Sequence, residues 1–210
     1  MATQRHRLDL ENALTIRPVR TPDELAQVQR FRYQICIEEC GQTHLEGTNH
    51  QTKRIEDSLD HDLTVFSVFR GGELVGTVRW GLLSWTKRPH RHTTKLGALG
   101  FDNPEQLGIT DRLVLAPSVR SLRALRALFK TVGTHALFSG SVYEFCWASP
   151  RLSLLYARLG YRSTGAEVTN DAGHQLSILQ LDLRHPTAMH RTTAAFSGAK
   201  SFPSFATQAA

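Results

Sequence analysis

Apolar positions along the chain change their spacing from segment to segment, and that spacing outlines an alternation of strands and helices. Residues 13–19 (ALTIRPV) form a short β-rich block. Thr21-Pro22-Asp23-Glu24 then supplies a capping residue, a first-turn proline and early acids, which predicts a helix running to about Glu39 and ending at Gly41. Residues 44–53 are polar and read as a loop. Residues 62–70 and 73–83 are β-rich and meet at Gly71-Gly72, a dipeptide suited to a tight hairpin. Residues 84–106 lack periodicity, carry Pro, Gly and many basic residues, and are long for a connection, which suits a lid or docking surface. A strand over 109–115, a helix over 118–137, a strand over 142–147, a helix over 149–159 and strands over 161–168 and 175–183 complete the pattern.

The predicted order, β-α-β-β-β-α-β-α-β-β, describes one α/β (α+β) domain over residues 14–184. Its first half is mostly antiparallel and its second contains a β-α-β unit. Residues 1–13 are expected to be flexible, and residues 185–210, rich in Ala, Ser and Thr, to form a disordered tail. A chain of 210 residues with 40% apolar content supports one substantial core. No run of about 18 apolar residues occurs and the N-terminus is polar, so a cytoplasmic protein without a membrane span or signal peptide is expected.

The candidate chemistry narrows this picture. Cys36, Cys40 and Cys146 match no zinc or redox spacing and read as free thiols, with Cys146 a small packed hydrophobe inside VYEFCW. His61, His90 and His92 lack ligand spacing, so no metal is expected. A net charge of +6 attracts phosphates in general, but the positive charge concentrates in residues 87–95 (KRPHRHTTK) and on one helix, and no nucleic-acid motif accompanies it. That distribution disfavours nucleic acid and fits an acidic protein or a phosphorylated cofactor. On the helix, Arg120, Arg123, Arg126 and Lys130 fall on one side and Leu122, Leu125, Leu128, Phe129 and Val132 on the other. The basic stripe is therefore either an ordinary solvated face or a docking surface for an acidic partner.

Residues 148–162 (ASPRLSLLYARLGYR) resemble the closing helix of the GNAT N-acetyltransferase superfold, in which a tyrosine, here Tyr156, precedes a Leu-Gly-aromatic turn, here Leu159-Gly160-Tyr161. The resemblance implies a central, mixed, strongly twisted sheet of about seven strands flanked by helices. Members that use coenzyme A carry an Arg/Gln-x-x-Gly-x-Gly/Ala turn, because glycine lets backbone N–H groups approach a pyrophosphate. Residues 120–125 (RSLRAL) place Arg123 and Leu125 at those two positions, which disfavours coenzyme A.

Residues 25–79 are similar to the carrier-dependent branch of the superfold, the N-acyl amino acid synthases and acyl-homoserine-lactone synthases. The matching residues are Arg32-Tyr33-Gln34-Ile35, Asp57-Ser58-Leu59-Asp60, Gly76-Thr77-Val78-Arg79 and Asp111-Arg112-Leu113. The resemblance implies that Arg32, Asp57, Asp60, Arg79 and Arg112 line an acceptor site. A zwitterionic acceptor needs a cation for its carboxylate and an anion near its ammonium, and the planar fork of arginine suits the former. The alternative is a purely structural ion-pair network.

Cys36 stands where the family has an aromatic residue, and Ile109 where it has a glutamate. Asp111 is a substitute base, but alternation along a strand would point Asp111 and Arg112 to opposite faces. A water ordered by Asp57 or Asp60 is the other route. Tyr156 is implied as the group that protonates or hydrogen-bonds the leaving thiolate, or else as a packed core tyrosine. Backbone N–H groups near residues 113–115 would hold the oxyanion.

The resulting expectation is an N-acyltransferase that moves a fatty acyl group from acyl carrier protein to the amine of an amino acid or similar small amine. It would bind no cofactor and use acyl-carrier protein, or alternatively acyl-coenzyme A, as co-substrate. The carrier would dock on Arg120, Arg123, Arg126 and Lys130. A coenzyme A-dependent acetyltransferase and a non-catalytic binding module are the alternatives.

Overall fold

The computed structural model describes residues 13–42, 45–87, 93–170 and 173–184. The predicted C-terminal tail and all but the last residue of the predicted flexible N-terminus lie outside the described residues. Seven strands form one sheet in the order β1-β4-β5-β6-β7-β9-β8. They are β1 (Leu14–Pro18), β4 (Thr64–Arg70), β5 (Glu73–Leu82), β6 (Leu107–Leu115), β7 (Tyr143–Ala148), β8 (Arg162–Thr169) and β9 (Gln175–Asp182). A two-residue hairpin, β2 (Thr48–Asn49) with β3 (Arg54–Ile55), interrupts the stretch predicted to be loop.

Helix α1 (Pro22–Tyr33) starts where expected. The Thr21 hydroxyl accepts from the Glu24 amide at 3.2 Å, and the Glu24 carboxylate in turn accepts from the Arg20 amide at 2.8 Å, closing a reciprocal cap. Past Tyr33 the helix widens into a π-helical segment, Gln34–Glu39, before Gly41 takes a left-handed φ of 68° and ends it. The β4–β5 hairpin turns on Gly71 and Gly72, both at positive φ (59° and 88°), the geometry the dipeptide predicts.

The connection over residues 84–106 is more structured than its sequence suggests, because helix α2 (Thr93–Ala98) forms within it and buries Leu96 completely. Leu96 packs with Leu63, Ile109, Phe145, Trp147 and Ile178 on one face of the sheet. Farther along the same face, α1 and its π-helical extension cover the sheet, with Phe31 and Ile35 clustered with Val114 of β6. Helices α3 (Leu122–Phe138) and α4 (Pro150–Arg158) cover the other face, over a core that includes Val78, Trp80, Leu113, Leu125, Cys146 and Leu181. Among the described residues no helix is long and apolar enough to cross a membrane.

Two irregularities shape the centre of the sheet. The first is that β6 and β7 pair in parallel over only three positions, Leu107↔Tyr143, Gly108↔Glu144 and Ile109↔Phe145. Beyond them, residues 110–115 pair with β5 and residues 146–148 with β9, so the two strands splay and leave a wedge between them. The second is a β-bulge in β6. Thr77 faces Val114 and Arg79 faces Asp111, so Val78 opposes two residues, Arg112 and Leu113. Arg112 absorbs the extra residue at φ 51°, a left-handed conformation that costs a non-glycine residue about 1 kcal/mol or more.

Candidate active site

The bulge overturns the expectation that Asp111 and Arg112 diverge. By rotating the backbone at Arg112, it brings two sequence neighbours to the same cluster. Arg79 of β5 is the hub. Its Nε and Nη2 donate to the two Asp111 oxygens at 2.8 and 2.7 Å, its Nη1 to Asp60 at 3.1 Å, and its Nη2 also to Asp57 at 3.1 Å. Arg32 of α1 places Nη1 on both Asp60 oxygens at 2.9 and 2.8 Å. Arg112 donates to Asp57 at 2.8 Å and to the Glu46 carbonyl at 3.3 Å. The Asp57 carboxylate also caps the short 3-10 turn Ser58–Asp60 by accepting from the Leu59 amide at 2.9 Å, which fixes both aspartates relative to the sheet.

Three arginines thus meet three aspartates with a formal charge of zero, and the three arginine side chains are only 1–2% exposed. Burial works against the charge on Asp57, but the Arg79 and Arg112 guanidiniums outweigh it and hold the carboxyl well below the usual carboxylate range. Burial likewise opposes the Arg79 charge, and Asp111, Asp60 and Asp57 overcome it and raise the guanidinium above its ordinary value. At Arg32 burial prevails over Asp60 and lowers the value. The pairing is incomplete. Nε and Nη2 of Arg32, and Nε and Nη1 of Arg112, are buried with no hydrogen-bond partner among the described residues. Each such donor costs about 1–3 kcal/mol when left unpaired. Asp57 also lines a cleft of about 430 Å³ between α1 and its own turn, shared with Leu25, Gln29, Arg54, Glu56 and His61.

Tyr156 of α4 lies in the core that includes Cys146 and Ala148, edge-on to Phe129 and Tyr161 with ring centroids 5.6 and 5.3 Å away. Burial raises its phenol well above the ordinary value, so the hydroxyl stays protonated at neutral pH. The predicted stripe divides, because the helix starts at Leu122 rather than at residue 118. On α3, Arg123 and Lys130 are exposed and Arg126 is half-buried, whereas Arg120 lies ahead of the helix and donates from Nε to the Leu115 carbonyl at 2.9 Å, at the end of β6. Ser121 caps α3 by accepting from the Ala124 amide at 3.1 Å. Of the basic loop, residues 88–92, with His90 and His92, lie outside the described residues.

One buried carboxyl escapes the sequence reading. Glu144 of β7 accepts from the Trp80 indole at 2.8 Å, the Thr110 hydroxyl at 3.1 Å and the Ser141 hydroxyl at 2.7 Å. Burial pushes it up to about 7 against the pull of those three donors. The signal available in the sequence was an acid inside an otherwise apolar strand, since such residues are rarely fully buried without partners.

The splayed sheet and the covering helices define the GNAT-type fold as it occurs in N-acyl amino acid and acyl-homoserine-lactone synthases. FeeM, an N-acyl amino acid synthase from uncultured soil microbes, superposes with a TM-score of 0.65 at 18% identity, over 82% of this chain and 92% of that one. The coenzyme A-dependent acyl-homoserine-lactone synthase BjaI, solved with SAM and isopentyl-CoA, gives 0.68 at 15% over 86% and 88%. The acyl-homoserine-lactone synthase LasI gives 0.67 at 10% over 90% and 100%. At these identities the likeness is one of fold. No family model and no curated protein sequence matches the chain.

Proposed function

We propose that this protein is an N-acyltransferase that moves a fatty acyl group from a carrier thioester to the amine of an amino acid or similar small amine. The observation that carries the reading is the set of unpaired, buried guanidinium donors on Arg32 and Arg112, beside the Asp57–Arg79–Asp111 clamp. A cluster of zero net charge with free donors suits a zwitterion, because a carboxylate completes the arginine valences while the ammonium meets the Asp57 side. The wedge between β6 and β7 adjoins this cluster and exposes strand edges to a thioester and its tetrahedral oxyanion.

Once the bound ammonium has released one proton to solvent, the neutral amine attacks the thioester carbonyl directly, the C–S bond breaks, and Tyr156 serves the departing sulfur as acid. The exposed Arg123 and Lys130 favour acyl carrier protein as donor by charge complementarity. The GNAT-type fold in the coenzyme A-dependent BjaI supports acyl-coenzyme A as the second possibility.

Purified protein offered acyl-carrier protein or acyl-coenzyme A with a panel of amino acids tests both readings, with free thiol and N-acyl product followed by mass spectrometry. Thiol release that requires an amine supports acyl transfer. Arg123→Glu with Lys130→Glu should slow the carrier-protein reaction about tenfold or more and leave the coenzyme A reaction unchanged. Absence of amine-dependent thiol release with every donor overturns the reading.

A further inference from the structure

Acyl transfer to an amine needs a group that accepts the nitrogen proton, and the three aspartates of the cluster are poor choices because arginines hold them. Asp57 accepts from two guanidiniums, Asp60 from Arg32 and Arg79, and Asp111 from Arg79 through both oxygens. Glu144 differs in kind. It makes three hydrogen bonds to neutral donors and, among the described residues, no ion pair.

Its position is also particular. Glu144 belongs to one of the last three pairs that join β6 to β7, opposite Gly108, and the Thr110 hydroxyl that donates to it sits on the first residue of the splayed segment. Gly108 is required for this placement, because a Cβ there would lie 2.0 Å from the Glu144 Oε1. Thr110 is also the side-chain neighbour of the Tyr161 hydroxyl, whose ring abuts Tyr156.

We infer that Glu144 is the proton acceptor of the transfer reaction, acting through the Thr110 hydroxyl at the apex of the β6–β7 wedge. The inference rests on the acyltransferase reading and supplies the base that the cluster lacks. As the amine nitrogen bonds to the thioester carbon, its proton passes to Thr110 Oγ1 while Thr110 passes its own to Glu144 Oε2. The C–S bond breaks and the sulfur takes a proton from Tyr156. Glu144 then returns its proton along the Thr110 and Tyr161 hydroxyls toward Tyr156, so each cycle moves one proton from nitrogen to sulfur.

The groups facing Glu144 are Trp80 from β5, Thr110 from β6, Ser141 ahead of β7, Cys146 on β7 and Tyr161 after α4. His135 of α3 stands edge-on to Trp80, and Tyr156 lies beyond Cys146. Burial raises Cys146, Tyr156 and Tyr161 and lowers His135, so all of them are neutral near pH 7 and Glu144 is the group that ionises there.

The test compares pH–rate profiles of wild type, Glu144→Gln, Thr110→Val and Thr110→Ser, using whichever donor supports amine-dependent thiol release. Wild-type kcat should rise with pH through a midpoint near 7. Glu144→Gln should lose that limb and about 10²–10⁴ in kcat, the usual contribution of a general base. Thr110→Val should lose a comparable factor, and Thr110→Ser, which keeps the hydroxyl, should recover most of it. The Trp80 indole N–H resonance gives a readout independent of turnover, titrating near pH 7 in wild type and flat in Glu144→Gln. An active wild type whose profile and kcat survive Glu144→Gln within about threefold overturns the inference alone. A wild type inactive with every donor overturns it together with the acyltransferase reading.

Discussion

Removing the hub of the ionic cluster should expose how strongly its members depend on one another. Arg79→Met keeps the length and much of the apolar volume but deletes four hydrogen bonds, two to Asp111 and one each to Asp60 and Asp57. Three carboxylates then face two guanidiniums inside a site where the arginine side chains are 1–2% exposed. Breaking a buried pair in this one-sided way costs about 3–5 kcal/mol, because a charge is left without its counter-ion. A domain of this size has about 5–15 kcal/mol to lose, so the variant should remain folded but marginal.

The loss should depend on pH in a defined direction. In wild type the depressed Asp57 contributes stability that is present above its unfolded value of 3.8 and disappears as pH falls through its lower folded value. In the variant the excess carboxylate takes up a proton more readily, so the gap to wild type should shrink by about 1 kcal/mol or more between pH 8 and pH 5, one pKa unit being about 1.4 kcal/mol. Urea unfolding followed by tryptophan fluorescence at both pH values measures this. Arg79→Lys, which restores the charge without the fork, should recover about half of the loss. A destabilisation under about 1 kcal/mol, or an equal one at the two pH values, would refute the assignment of Arg79 as the electrostatic hub.

Three further outcomes are expected. Arg112→Gly and Arg112→Ala both remove the bond to Asp57, but glycine accepts φ 51° freely, so the glycine variant should be the more stable by about 1 kcal/mol in urea unfolding. Gly108→Ala, whose added methyl collides with the Glu144 carboxyl and the Ser141 hydroxyl, should destabilise by about 2 kcal/mol or more and shift the Trp80 indole signal. Glu144→Gln should stabilise the fold at alkaline pH. The rise of Glu144 from 4.5 to about 7 means its contribution is full below about 4.5 and declines as pH rises through 7, so the amide should gain about 3 kcal/mol on wild type at pH 8.5 and nothing at pH 4.

The strand and helix order, the caps at Thr21 and Gly41, the Gly71-Gly72 turn and the arginines and aspartates of the cluster were legible in the sequence because each is a local signal: spacing, a turn residue, or a short motif. The features that decide the chemistry were not local. The bulge at Arg112 is a mismatch of register between β5 and β6, and nothing within Asp111-Arg112-Leu113 announces it. Glu144 finds its donors on β5, on β6 and ahead of β7, so its role exists only once the sheet is assembled. The start of α3 at Leu122, which leaves Arg120 ahead of the helix and bonded to the Leu115 carbonyl, is likewise a tertiary choice. Helix α2 was hidden by the basic, proline-bearing residues around it, although its fully buried Leu96 anchors it.

The charge balance of the cluster also has a consequence over evolutionary time. Its six members come from α1, the Asp57 turn, β5 and β6, and each is paired with members of opposite charge. A lone mutation therefore strands a partner in the interior, whereas loss of one arginine together with one aspartate restores neutrality at once. Drift at these positions should proceed in acid–base couples, so that a descendant which abandons this site does so in pairs and leaves behind an apolar patch of the same outline.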